Sequence, residues 1–72
     1  MSRDRDLHRF GQRLRQLRAQ AALSQEALAQ RAGIHRTYLS GIERGTRNPS
    51  LHNLFRIARA LGTTLSDLTR EL

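Results

Sequence analysis

Three hydrogen-bonding side chains stand close together in the middle of the chain: Arg36, Thr37 and Ser40. On a helix their spacing puts all three on one side. Arginine can fork onto a phosphate or a guanine, and a hydroxyl can meet either kind of acceptor. Such a set is suited to holding a nucleic acid rather than to breaking a covalent bond. The chemistry of catalysis is not laid out elsewhere. No serine, histidine and acid fall into a nucleophile motif, no glycine-rich loop is built for a phosphate, and no carboxylates are paired. The acids are scattered, and Glu26 and Asp67 read as charges at helix N-termini. His8, His35 and His52 lie far apart without metal-ligand spacing, and the chain has no cysteine. The expectation is a protein that is not an enzyme and takes no metal, cofactor or small-molecule ligand.

Two helices held at a fixed angle can place the second in the major groove of DNA, so the elements around Arg36 matter. Residues 1–5 are polar and read as a frayed lead-in. From there Leu7, Phe10, Leu14, Leu17 and Ala21 recur at spacings of three and four, one face of a helix of about four turns. Ser24 offers an N-cap to a short second helix with an apolar stripe of Leu28, Ala29 and Ala32. Gly33 ends it and Ile34 plugs the turn. A third helix starts near His35 or Arg36, buries Leu39 and Ile42, and stops at Gly45. That leaves Arg36, Thr37, Ser40 and Gly41 facing outward, with Ala29 small enough for the helices to approach closely. Residues 46–49 form a loop closed by a proline. Ser50 caps a fourth helix with apolar Leu51, Leu54, Phe55, Ala58 and Leu61, ended by Gly62. Thr64 and Asp67 form a capping box for a last helix bearing Leu65, Leu68 and Leu72. No segment alternates with period two, so no strand is expected. The reading is an all-α, compact five-helix domain over residues 1–72, with the helix-turn-helix proper at 25–44.

Composition agrees. The formal charge is +7, from 13 basic and 6 acidic residues, and every basic residue is arginine. A GC-rich genome accounts for the missing lysine but not for the surplus of positive charge, which favours a polyanionic partner. No apolar stretch approaches a membrane span and no signal peptide is visible, so a soluble, cytoplasmic protein on the nucleoid is expected. The apolar face of the first helix is needed for the core, which argues against a membrane-surface role. RNA-stacking platforms are also missing, with only Phe10, Tyr38 and Phe55 as aromatics. A domain this short buries only about 60% of its unfolded surface and gains from a partner.

The run LSQEALAQRAGIHRTYLSGIERGTRNPSL resembles the helix-turn-helix domain of the phage repressor and Cro type. Leu-Ser-Gln-Glu at 23–26, Ile-Glu-Arg-Gly at 42–45 and Arg-Asn-Pro-Ser at 47–50 carry the match, which extends over residues 10–68. Phe-Gly-Gln-Arg-Leu-Arg at 10–15 and His-Arg-Thr-Tyr-Leu-Ser-Gly-Ile-Glu at 35–43 are most similar to the controller proteins of restriction–modification systems. Those are small, dimeric transcription regulators of bacteria and phages.

The resemblance implies a lambda-repressor-like fold and a set of roles. Arg36 and Thr37 match base-contacting positions, and Ser40 faces the same groove one turn later. Gln25, with Ser24 before it, matches a phosphate contact at a helix N-terminus, where free amides attract anions. Arg47 and Asn48 match backbone contacts in the following loop. Tyr38 either packs on the core or reaches the DNA backbone. Glu43 matches a glutamate paired with a first-helix arginine, here Arg18. Two positions depart from the family pattern. His35 stands where a capping serine, threonine or aspartate is usual. Gly41 stands where some repressors carry a base-reading side chain, which concentrates readout on Arg36 and Thr37 and leaves room for a close backbone approach. Ile57, Leu61, Leu65 and Leu68 are candidates for a dimer interface; otherwise all four belong to the core. The implied function is sequence-specific regulation by a homodimer on a two-fold symmetric operator of double-stranded DNA, controlling a restriction–modification operon that includes its own gene. The alternative is an antitoxin that binds a toxin protein and represses its own gene.

Overall fold

Local capping chemistry marks most of the helix ends. The computed structural model describes residues 2–70 and 72. Among them five helices follow in order: α1 Ser2–Gln20, α2 Gln25–Ala32, α3 Arg36–Arg44, α4 Leu51–Leu61 and α5 Leu65–Leu68. Three starts are closed by a hydroxyl: Ser24 accepts from the Ala27 amide at 3.0 Å, Ser50 from Asn53 at 3.1 Å and Thr64 from Asp67 at 3.0 Å. Each such cap contributes about 1 kcal/mol. The turn between α2 and α3 needs Gly33, whose φ of 72° lies in the left-handed region. The link between α1 and α2 uses Ala22 at φ 58°, a conformation that costs a non-glycine residue about 1–2 kcal/mol. α1 begins five residues ahead of Leu7, so the lead-in is helical from Ser2 on, while Met1 lies outside the described residues.

α1 packs across α3, α2 against α3 and α4, and α5 closes on α1 and α4. Leu14, Leu28, Leu39, Ile42, Ile57 and Leu68 are the largest fully buried side chains, with Phe10, Ala29, Ala32 and Ala58 filling between them. Truncating one such leucine to alanine typically costs about 2–5 kcal/mol. α1 and α3 approach closely at Gly11, where an added Cβ would stand 2.4 Å from the Glu43 carbonyl oxygen. Arg13 ties α1 to α5 by donating from Nε and Nη2 to the Asp67 carbonyl, at 3.2 and 2.8 Å.

Several apolar positions fall differently from expectation. α4 carries more apolar residues than one face can bury. Leu54, Ile57, Ala58 and Leu61 turn inward, while Leu51 and Phe55 are 60% and 42% exposed. Ala21 is exposed beyond the end of α1, and Leu72 lies past α5 at the surface. Ile57 and Leu68, expected at a dimer interface, have no exposed surface, because both sit at the centre of the domain's own core. Leu61 and Leu65 are half-buried at its edge. No helix among the described residues is long and apolar enough to cross a membrane.

Candidate nucleic-acid interface

α3 presents two different sides. Leu39 and Ile42 are buried against the core, which turns the opposite side to solvent. Arg36 and Thr37 are exposed in its first turn and Ser40 is partly exposed one turn on. Arg44 follows after another turn, exposed, with its guanidinium donating to the Ser40 hydroxyl. Residues 36, 40 and 44 therefore line one face at successive turns. Sequence reasoning missed Arg44; its spacing of four from Ser40 was the available signal. His35 precedes α3 in extended backbone and makes no side-chain capping bond, so the first amides of the helix are unclaimed by its own cap.

The acid of α3 is turned away from this face. The Glu43 side chain is fully buried, and Arg18 Nε and Nη2 donate to its two carboxylate oxygens at 2.7 and 3.0 Å. Such fork-to-fork pairs are the strong charge-assisted kind. Arg18 Nη1 also donates to the Leu23 carbonyl at 2.9 Å, tying the pair to the link before α2. The hydrogen bond to Glu43 raises the proton affinity of the Arg18 guanidinium, outweighing the opposing effect of burial. Arg15 reaches the same carboxylate from the rim, with Nε 3.7 Å from Oε1.

Gln25 is drawn into this cluster. Its amide nitrogen donates to Glu43 Oε1 at 3.0 Å, an inward contact the sequence did not announce. An amide nitrogen has two hydrogens, so one donor remains for another acceptor. Ser24 likewise spends its oxygen on the cap and keeps its hydroxyl proton.

Beyond α3 the loop folds back onto it. The Gly41 carbonyl accepts from the amides of Thr46 and Arg47, at 2.9 and 3.2 Å, and from the Thr46 hydroxyl at 3.1 Å. Gly41 was expected to face outward; it is buried, because the Arg47 side chain lies across it. Arg47 itself is exposed, its guanidinium carbon 5.2 Å from the centre of the Tyr38 ring. Tyr38 is half-buried and its hydroxyl accepts from Asn53 at 3.2 Å, so it serves both the packing and the exposed loop. Asn48 is exposed beside Arg47. Arg56 braces the turn before α3 by donating to the Gly33 carbonyl at 3.4 Å. No three histidine or acidic side chains gather as a metal site among the described residues.

Short helices joined by a left-handed glycine, with a cationic, acid-free face on the second, define a helix-turn-helix nucleic-acid-binding domain. The helix-turn-helix family pattern matches residues 14–68. The control protein C.BamHI of Bacillus amyloliquefaciens is 53% identical over 60 residues, covering 82% of this chain and 74% of the relative. The control protein C.MunI of a Mycoplasma species is 48% identical, covering 89% and 88%. The crystal structure of the restriction–modification controller protein C.AhdI from Aeromonas hydrophila superposes with a TM-score of 0.86 at 51% identity, over 88% of this chain and 96% of that one. The chain belongs to the helix-turn-helix family, as a DNA-binding transcription regulator of the restriction–modification controller type.

Proposed function

We infer that the chain acts as a homodimer on a two-fold symmetric operator, regulating a restriction–modification operon that contains its own gene, on the nucleoid in the cytoplasm. Arg36 and Thr37 read base edges from the start of α3, Ser40 and Arg44 continue along the groove, and Ser24, Gln25, Tyr38, Arg47 and Asn48 meet phosphates. The observation that carries this is the face of α3. Its arginines and Thr37 are exposed and Ser40 partly so, at successive turns, while its acid is buried and paired. Phosphate contacts fix the register and base contacts supply the specificity. The controller relatives favour this reading over the antitoxin one.

The dimer reading rests on the apolar surface of α4 and α5. Leu51 and Phe55 stand one turn apart and exposed, and Leu61 and Leu65 are half-exposed. Two α3 helices related by a two-fold axis read half-sites about 34 Å apart, or a multiple of that. Selection of bound duplexes from a random pool at physiological salt tests the whole reading. A two-fold symmetric motif is expected, and enrichment of none would falsify it. On the selected duplex Arg36→Ala should lose about 1–3 kcal/mol and relax preference at one base position. Equal loss on every sequence would demote Arg36 to a phosphate contact.

A further inference from the structure

We propose that Gly41 is a positioning residue: by carrying no side chain, it seats Arg47 across the recognition helix in the pose that grips a DNA phosphate. The proposal rests on the DNA-binding reading above. Glycine is, after proline, the poorest helix former, and Gly41 lies inside the nine-residue α3. It has the ordinary helical backbone that any residue adopts, so conformational freedom does not explain it. Space does. An ideal Cβ at Gly41 would stand 2.3 Å from Arg47 Cγ and 3.4 Å from its Cβ and Cδ. The aliphatic stem of Arg47 occupies the volume that any other residue at 41 would fill.

The rest of the loop converges on the same spot. The Gly41 carbonyl accepts from both the Thr46 and Arg47 amides and from the Thr46 hydroxyl, so backbone and side chain are anchored at one residue. The guanidinium then rests 5.2 Å from the Tyr38 ring centre, within range of a cation–π contact. The ring is in turn held through its hydroxyl by Asn53. An arginine side chain has many rotatable bonds, and freedom already surrendered in the free protein is not lost again on binding. Gly41 thus gives up a side chain of its own on the DNA-facing helix in exchange for a fixed cation from the next loop.

The test uses the full chain and the duplex selected above. Affinity is measured against salt for the wild type, Gly41→Ala, Arg47→Ala and the double variant. Gly41→Ala is expected to weaken binding about tenfold, the order of one charge-assisted contact. It should also lower the salt slope by about 0.9, the loss of one phosphate. In the Arg47→Ala background Gly41→Ala should change neither. Thermal stability should hold or rise, since alanine is the better helix former. An unchanged slope in Gly41→Ala, or equal losses in both backgrounds, overturns the seat. If the wild type enriches no duplex, the DNA reading itself falls. If Arg47→Ala flattens the slope and Gly41→Ala does not, only the seat falls. Should Gly41→Ala not fold, NMR of the free wild type decides. Cross-peaks between the Gly41 α-protons and the Arg47 γ-protons are expected, with Arg47 protons shifted upfield by Tyr38. Arg47 shifts typical of an unstructured chain would overturn the proposal.

Discussion

In the proposed complex α3 faces a polyanion, where a free carboxylate would be repelled, and Glu43 is neutralised from within the protein. Burying two charges costs several kcal/mol each, so the pair with Arg18 is not by itself a gain in stability. Breaking it is costly, because Glu43 is left buried with only the Gln25 amide and the rim contact of Arg15 to meet it. Arg18→Ala should therefore lose about 3–5 kcal/mol in urea unfolding. That is a large part of the roughly 4–11 kcal/mol expected for a domain of this length. Arg15→Ala, at 62% side-chain exposure and 3.7 Å, should stay within about 1 kcal/mol. Equal effects of the two would deny the bidentate pair its special place. The Arg18 proton affinity is raised, so its share of stability is present at every pH below the arginine range and is lost only above it. The pairing of Arg18 with Glu43 was legible in the sequence as a resemblance. The contribution of Gln25 was not, because a neutral amide carries no charge signature and reads equally well as a phosphate contact. Arg44 was hidden for a similar reason, as a cation at a helix C-terminus already has a structural explanation in the helix dipole.

The crossing of α1 over α3 depends on an absent side chain. On an isolated helix Gly11→Ala would gain about 1 kcal/mol. Here the new Cβ would stand 2.4 Å from the Glu43 carbonyl oxygen and 2.6 Å from that of Ile42. Both are backbone atoms that cannot swing aside. Overpacking of this kind costs about 1–3 kcal/mol or more and outweighs the propensity gain. Gly11→Ala should lower the urea midpoint without changing the slope of the transition. A raised midpoint would mean that α1 lifts freely from α3. The helix boundaries were legible because caps are local: Ser24, Gly33, Gly45, Ser50, Gly62 and Thr64 each mark one. Gly11 was not, since its meaning lies in a contact with residues more than thirty positions away. The facing of α4 at Leu51 and Phe55 was left open, because a helix with apolar residues on more than one side does not say which side the core takes. The same ambiguity put Ile57 and Leu68 at an interface they cannot line.

One copy of the molecule offers little reach. α3 has nine residues and so spans about 13 Å of groove, whereas the domain measures 32 × 23 × 21 Å. In the proposed dimer, two domains set end to end along the 32 Å axis would come near the roughly 34 Å between half-sites one turn apart. Phe55→Glu places a charge on the exposed α4 surface. Phe55 is 42% exposed, so losing the covered part of its ring should cost the folded monomer about 1–2 kcal/mol. If the proposed dimer forms through this surface, sedimentation equilibrium should find the wild type dimeric and the variant monomeric. Undiminished association would move the interface to the edge formed by Leu61 and Leu65. A different consequence follows from the start of the recognition helix. The third amides of α2 and α4, on Ala27 and Asn53, are held by serine hydroxyls. The corresponding amide of α3, on Tyr38, has no such partner, since His35 makes no capping bond. In deuterated water the free protein should exchange the Tyr38 proton well ahead of those on Ala27 and Asn53. Saturating operator should bring it down to their pace, and equal rates in the free protein would mean that another group already closes the helix. Measured this way, the missing cap becomes a reporter at a single amide of when the groove is filled.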